Sequence, residues 1–347
     1  MKKIVTLAAI CFLMTLSVSA QEPQASAYQG GFYQPGIMNV RDMAAPPGEG
    51  IIFIDYNYWI NSNGYRDVNG DRTSGITLPN PDTGEGYYIG LDTEIKAYVN
   101  APVIFYATKF KVFGARYSVA AAATIIGSNL RVDIQPDGVG NVHAVGNTGG
   151  FGDMFIMPVD LAWSFNKKVD VSFMYSMYLP IGRFELGGDD NIGKGYLTHQ
   201  IQAPTYFYFL EKATALFVML TLELNGQIRD TDINPGNRFT VEYGFSQYLT
   251  SWLEIEVING HNWQISDDKG NDVWWKGTDL YEKDSNNTFG AGVGVWPLAG
   301  KLNVRAKYAF DYGSKNRFKN TFLSFSVIFI PNLFTGKNRK TSENPEG

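Results

Sequence analysis

The sequence has 347 residues, of which 44 % are hydrophobic, 14 % aromatic and 18 % charged, and its formal net charge is −5 at pH 7. A weakly acidic chain without a long basic run gives no support for nucleic-acid binding. The length suits one large domain or two ordinary ones, and the aromatic content is high for a soluble domain.

Residues 1–20 have the pattern of a bacterial secretory signal. Two lysines precede an apolar run that ends near Leu16, and Ala20 closes a cleavage motif of small residues. The apolar run is shorter than the ~20 residues that a spanning helix needs. We therefore expect this segment to be cleaved on export. The only cysteine, Cys11, lies within it, so the mature chain is expected to carry no disulfide and no thiol chemistry.

Residues 21–50 are rich in Gly, Pro and Ala and are predicted to form an irregular periplasmic lead-in. Residues 51–330 show the two-residue alternation of β-strands, without convincing helical periodicity. About twelve strands are predicted, at 51–61, 86–100, 103–127, 151–165, 169–180, 196–210, 213–225, 238–249, 252–264, 287–298, 301–312 and 320–330. Residues 331–347 are predicted to be a polar periplasmic tail.

The connections between these strands alternate in length along the chain. The short ones are 165–170, 210–215, 248–253 and 297–302, whereas long polar ones fall at 61–85, 128–150, 181–195, 226–237, 264–286 and 312–319. In an up-and-down meander this places all long loops at one rim and all short turns at the other. Bacterial outer-membrane barrels have this asymmetry, and Greek-key sandwiches do not.

The residues within each run separate into an apolar row and a polar row. Ile255 alternates with Glu254 and Glu256, and the apolar row of 51–61 alternates with Asp55 and Asn57. In a membrane barrel we expect the apolar row to face lipid, including Leu91 and Ile95, and the polar row to face the lumen. The candidate lumen-facing residues are Asp92, Glu94, Lys96, Arg116, Glu223, Arg238, Glu242, Glu254, Glu256, Arg305 and Lys307.

Aromatic residues cluster near the predicted strand ends, as interfacial girdles require. The sequence therefore predicts an all-β fold, a transmembrane antiparallel up-and-down β-barrel of about twelve strands in the bacterial outer membrane. Both ends of the mature chain would lie in the periplasm. The expected partners are outer-membrane lipid, lipopolysaccharide, the barrel-assembly machinery and a small-molecule solute.

Several short Gly, Pro and Asp motifs, in this order along the chain, resemble those of a known family. They are "YQPGIMNVRDMAAPPGEG" (33–50), "DVNGD" (67–71), "GGFGDMFIMPVDLAW" (149–163), "YLPIGRFE" (178–185) and "NWQISDDKG" (262–270). Together they are similar to the meta-pathway of phenol degradation (SphA-like) family of outer-membrane transporters. The resemblance implies a β-barrel that takes up hydrophobic or aromatic small molecules, and it implies no set of functional residues.

Three motifs suggest other chemistry, and each departs from its pattern. "GDDNIGKG" (188–195) lacks the Ser or Thr of a phosphate loop, and "DVNGDRTSGITL" (67–78) lacks the Gly and Glu of a calcium loop. His261 has no serine beside it in the sequence for an outer-membrane hydrolase, although Ser246 and Ser251 lie in neighbouring segments. We expect no cofactor, no metal site and no catalytic residues.

The favoured function is passive uptake of small solutes, hydrophobic or aromatic ones among them, through the barrel. The mixed charges of the lumen suit hydrophilic solutes better, and they could equally pair across a plugged interior. The alternatives are therefore a structural or surface-interaction barrel with a plugged lumen, and an outer-membrane lipid hydrolase. In addition, Phe32, Tyr33, Ile37 and Met38 of the lead-in are hypothesised to plug the periplasmic mouth.

Overall fold

A computed structural model of the chain describes the backbone of residues 31–46, 48–79, 86–90, 92–134, 142–185, 190–273, 276, 281–298 and 300–331. The predicted signal segment 1–20 and nearly all of the tail 331–347 lie outside these residues. The side chains of 92–95 are also outside the described set.

Nearly every described element is a β-strand. The strands are β1 (Gly50–Arg66), β2 (Gly75–Pro79), β3 (Gly86–Gly90), β4 (Asp92–Val112), β5 (Ala115–Ala122), β6 (Ile125–Ile134), β7 (Val142–Phe151), β8 (Met154–Phe165), β9 (Val169–Leu179), β10 (Thr198–Phe209), β11 (Thr214–Asn225), β12 (Arg238–Tyr248), β13 (Leu253–Gln264), β14 (Ser285–Leu298), β15 (Leu302–Lys315) and β16 (Arg317–Phe329). One 3₁₀ turn, Leu210–Lys212, connects β10 to β11. Within the described residues, no helix has the length and apolar character needed to cross a membrane.

The strands close into a barrel because β1 pairs with β16 on one side and with β4 on the other. β5 and β6 lie end to end along β4, and β7 and β8 lie end to end beside them. Counted this way, and without the separate β2–β3 hairpin, the wall has 12 antiparallel strands. The predicted fold class is confirmed.

The strand ends also follow the predicted asymmetry, except that the predicted long connection 312–319 is a tight turn at Asn316 between β15 and β16. Short turns join β8 to β9, β10 to β11, β12 to β13 and β14 to β15, and we call this end of the barrel the short-turn rim. The connections 180–197, 226–237 and 265–284 lie at the opposite end, the long-loop rim. In outer-membrane barrels the long loops are extracellular and the short turns periplasmic.

The sequence analysis misplaced one strand break. It separated 86–100 from 103–127, whereas β4 runs unbroken from Asp92 to Val112 and the turn comes at Phe113 and Gly114, both with positive φ. Pro102, which cannot donate to a ladder, lies within β4. In the structure Pro102 lies opposite the junction of β5 and β6, where that side of β4 has no pairing to lose.

The outer surface of the barrel is largely apolar, and much of the inner surface is polar. Ile255 and Val257 of β13 are exposed, whereas Glu254 and Glu256, which alternate with them, are buried. Exposed aromatic residues, among them Phe165, Phe209, Trp252 and Phe329, lie near the short-turn rim. An apolar exterior with aromatic residues near its edge is the surface that a bilayer requires.

The wall formed by β1 and β4 departs from this arrangement, and the face prediction for β1 is wrong. Its apolar row, from Ile52 to Ile60, lines an internal cavity, whereas Asp55 and Asn57 lie on the outer surface. Alternation shows that the two rows differ, but it does not show which row faces in.

Four polar side chains form a hydrogen-bonded patch on that outer surface. The Asn57 amide donates to Asp55 Oδ2 at 2.8 Å, and the Asn100 amide donates to Asp55 Oδ1 at 2.7 Å. The Tyr98 hydroxyl donates to Asn57 Oδ1. Hydrogen bonds therefore link the four side chains to one another.

The exposed apolar rows predict that a charged residue introduced on the lipid-facing surface strongly lowers the stability of the barrel. Replacing Val257, near the middle of β13, by Arg should destabilise the barrel by about 2–4 kcal/mol. The measurement is the free energy of unfolding in urea with the protein in phospholipid vesicles. Val257→Leu is the control, and equal stability of the two variants would contradict a lipid-facing position.

Candidate functional site

The lead-in enters the barrel, and we call its described part, residues 31–46, the plug. Near the long-loop rim, the backbone amides of Phe32 and Tyr33 donate to Glu223 Oε1 at 2.8 and 3.0 Å. The Tyr33 hydroxyl donates to Glu242 Oε2 at 2.6 Å. The plug is therefore not confined to the periplasmic mouth, where the sequence analysis placed it, because wall carboxylates near the opposite rim accept its backbone N–H groups.

Closer to the short-turn rim, the plug is held by ion pairs. Arg305 lies between Asp42 of the plug and Glu254 of the wall, with N···O distances of 2.9 and 2.7 Å. All three side chains are buried, so their charges need compensation inside the barrel, to which Arg41 Nε adds at 3.1 Å from Glu254 Oε1. The plug thus spans the lumen from one rim towards the other.

Apolar packing supports these polar contacts. Tyr33 and Val40 of the plug pack in one buried cluster with wall residues that include Phe217, Met219 and Ile258. The plug packs closely against glycines of the wall. A Cβ on Gly260, for example, would lie only 2.5 Å from Cβ of Pro35. The plug and the β10–β14 wall therefore form a single packed core.

The structure places the candidate lumen residues in several environments. Those that are buried inside the barrel are Glu223, Arg238, Glu242, Glu254, Glu256, Arg305 and Lys307. Lys307 Nζ donates to Met38 O at 2.5 Å, and Arg238 Nη1 donates to Asp284 Oδ2 at 2.7 Å. Most of these charges therefore pair with the plug or with one another instead of lining an open polar pore.

The other candidates lie elsewhere. Arg116 is half-buried next to the turn at 113–114. Lys96 is exposed, on the opposite side of β4 from the cavity-lining residues Ala97 and Val99, so its predicted lumen position is wrong. The reason is that the wall formed by β1 and β4 presents its apolar row to the cavity, so the polar row of β4 faces outward. The side chains of Asp92 and Glu94, and those of Leu91 and Ile95, lie outside the described residues.

Between the plug and the β1–β4–β5–β8–β9 wall lies a cavity of about 1270 Å³, which we call the chamber. Its wall is mainly apolar and includes Ile52, Ile54, Tyr56, Tyr58, Ile60, Ala97, Val99, Ala101, Val103, Phe105, Ala120, Ala122, Met157 and Met174. A large apolar space with few polar groups is typical of a site for a small hydrophobic molecule. The charge pattern that the sequence analysis used could not reveal it, because most of the surface that lines it is apolar.

The segment 180–197 borders the chamber near the long-loop rim, with Ile192 and Lys194 in the lining. Asp153 fastens this segment, since its two carboxylate oxygens accept from the backbone amides of Gly182 at 3.0 Å and Lys194 at 2.8 Å. The Lys194 ammonium lies 4.8 Å from the centre of the Phe32 ring. Burial lowers the pKa of Lys194 to about 8, although the Glu223 carboxylate opposes the shift.

The geometry does not support the serine–histidine pair of a hydrolase. Ser246 is buried inside the barrel, where it accepts from Arg41 Nε at 2.7 Å. His261 is on the outer side of β13 and contacts Asn287 Oδ1 at 2.7 Å and the Tyr243 hydroxyl at 3.3 Å. Because the two residues lie on opposite faces of the sheet, they cannot act together.

The "DVNGD" segment forms a turn in which Asp67 Oδ1 accepts from the backbone amides of Asn69 and Asp71, each at 2.9 Å. Among the residues that the structure describes, no group of three or more His, Cys, Asp or Glu side chains is arranged to hold a metal ion.

The plugged lumen, the apolar exterior and the sorted loops define a β-barrel of the bacterial outer-membrane type. A structure of this kind, the COG4313 outer membrane channel from Pseudomonas putida F1, is similar to it, with a TM-score of 0.60 and 12 % identity over 86 % of this chain and 99 % of that one. The translocator domain of the autotransporter NalP from Neisseria meningitidis aligns with a TM-score of 0.42 and 13 % identity, over 84 % of this chain and 91 % of that one. The sequence matches no curated protein.

The family model described as "Putative MetA-pathway of phenol degradation" matches residues 80–327. The chain belongs to this family, which is the one that its short motifs resemble.

The ion pairs of the plug predict a large effect at Arg305. Arg305→Met removes the cation next to the buried Asp42 and leaves Glu254 with Arg41, 3.1 Å away, which should lower the free energy of unfolding by about 3–5 kcal/mol. Urea unfolding in detergent micelles measures this change. The control is Lys283→Met, because the Lys283–Asp267 pair is exposed at both ends and should contribute at most about 1 kcal/mol. Equal effects of the two variants would contradict the assigned role of Arg305.

The fastening of segment 180–197 gives a second prediction. Asp153→Ala leaves two backbone amides without an acceptor, at a cost of about 1–3 kcal/mol for each that stays buried. Amide hydrogen exchange in 180–197 should therefore become faster. Asp190→Ala, which removes an exposed ion pair with Arg183, is the matched control and should change exchange little. Unchanged exchange in Asp153→Ala would contradict the fastening role.

Proposed function

We propose that the protein is an outer-membrane transporter for passive uptake of small apolar solutes, and that the chamber is their site within the barrel. The chamber is the observation that carries this proposal, because its volume and apolar lining suit an aromatic or aliphatic molecule. The charged half of the lumen is filled by the plug, which argues against a wide aqueous pore for hydrophilic solutes. The family description refers to phenol degradation, which agrees with an aromatic solute.

The mechanism needs no covalent step. A solute would enter beside segment 180–197, exchange water for apolar contacts in the chamber, and leave towards the periplasm. The gain from burial is roughly 25 cal/mol per Å² of apolar surface, so a small solute would bind weakly enough to be released. Membrane lipid and lipopolysaccharide would surround the barrel, and the barrel-assembly machinery would insert it.

A second candidate is a structural barrel that transports nothing. The buried ion pairs of the plug favour it, since they hold the plug in place and show no open path on that side. The two candidates differ in one measurable property, which is solute flux.

Filling the chamber should reduce uptake of an apolar solute. Ala120 lies in the chamber wall, and Ala120→Phe should lower the initial rate of naphthalene uptake several-fold because the ring occupies the solute's space. The measurement uses labelled naphthalene and cells whose outer membrane carries equal amounts of each folded variant. Lipopolysaccharide makes direct passage through the membrane slow enough for the comparison.

The matched control is Ala306→Phe, because Ala306 lies on the exposed side of β15. It should leave uptake unchanged. Wild-type cells with no more uptake than cells lacking the protein would contradict the transporter and favour the structural barrel.

A further inference from the structure

The chamber contains one buried carboxyl group with an unusual environment. Asp160 lies on β8, is 1 % exposed, and borders the chamber beside Met157 and Met174. Its neighbour across the strand pair is Ser118 of β5. The plug residue Met43 packs against the same methionines, so Asp160 lies among apolar side chains.

Asp160 lacks the compensation that other buried carboxylates of the chamber have. Within the described residues, Asp160 Oδ1 and the Ser118 hydroxyl make no hydrogen bond of normal geometry, although the hydroxyl lies close enough to interact with the carboxyl group. By contrast, Asp42 pairs with Arg305 at 2.9 Å, and Asp170 lies 3.4 Å from Lys212 Nζ. Asp153 accepts from two backbone amides, as described above.

An unpaired carboxylate in apolar surroundings is costly, because it gives up hydration without gaining a partner. An ionised carboxylate only accepts hydrogen bonds, so a ligand that binds to Asp160 supplies the donor. A neutral hydroxyl would supply a hydrogen bond alone, whereas an ammonium group would supply a hydrogen bond and the opposite charge. The adjacent apolar wall would take up the rest of such a molecule.

We propose that Asp160 binds the ammonium group of small amines whose apolar body occupies the chamber. The proposal rests on the chamber's role as a solute site and adds a head-group preference to it. Met157 and Met174 would contact the apolar body, since flexible thioether side chains adapt to ligands of different shape.

The test compares three probes with the same apolar body. 2-Phenylethylamine carries an ammonium group, 2-phenylethanol a hydroxyl group, and ethylbenzene neither. Binding is measured by equilibrium dialysis at pH 7 against the protein in lipid nanodiscs, and uptake by empty nanodiscs is subtracted. We expect the wild-type protein to bind the amine most tightly and the hydrocarbon most weakly.

Asp160→Asn keeps the shape of the side chain and removes its charge. It should weaken amine binding about 10- to 100-fold, the range for losing a hydrogen bond to a charged group, and leave ethylbenzene binding unchanged. Met157→Leu is the matched control on the same strand and should retain the preference for the amine. Folding of each variant is checked by its mobility on a gel before and after boiling.

The outcomes separate the proposal from the function on which it rests. Equal wild-type binding of all three probes would overturn the role of Asp160 while leaving the apolar chamber intact, and this comparison needs no variant. Tighter binding of the alcohol than of the amine, or an amine preference that survives in Asp160→Asn, would also overturn it. Binding of none of the probes would overturn the chamber as a solute site altogether.

Discussion

The buried guanidinium of Arg305 joins the plug to the barrel wall, and the division of the lumen depends on it. It compensates Asp42 on one side and shares Glu254 with Arg41 on the other, and both carboxylates are buried. With the plug fixed against β10–β15, the polar half of the interior is filled. The space that remains is the chamber along β1, β4, β5 and β8.

This division explains why the inward-facing residues are charged in one half of the barrel and apolar in the other. Where the wall meets the plug, inward residues such as Glu242 and Lys307 are charged and contact plug atoms. Where the wall meets the chamber, inward residues such as Ile54 and Val99 are apolar. The inward-facing residues of each half suit what they contact, because buried charged side chains need partners and apolar side chains do not.

The sequence was sufficient to predict the barrel and many of its strands, because alternation and loop length depend on local residues alone. On β13 the pattern placed Glu254 on the opposite face from Ile255, and the structure has this arrangement.

The same reasoning failed for Asp55 and Lys96, since the direction in which a row of side chains points depends on what lies inside the barrel. The position of the plug could not be predicted either, because the contact of Asp42 with Arg305 joins residues 263 positions apart. Asp160 gave no sequence signal, since what distinguishes it is the lack of a partner in space.

The outward polar patch on β1 and β4 has an evolutionary consequence. Asp55, Asn57, Tyr98 and Asn100 bond to one another, and lipid tails would offer no replacement for a lost partner. Losing one member leaves the others unsatisfied, whereas exchanging the whole set for apolar residues restores an ordinary lipid-facing surface. The four positions should therefore show strong epistasis, and related sequences should keep the set or lose it together.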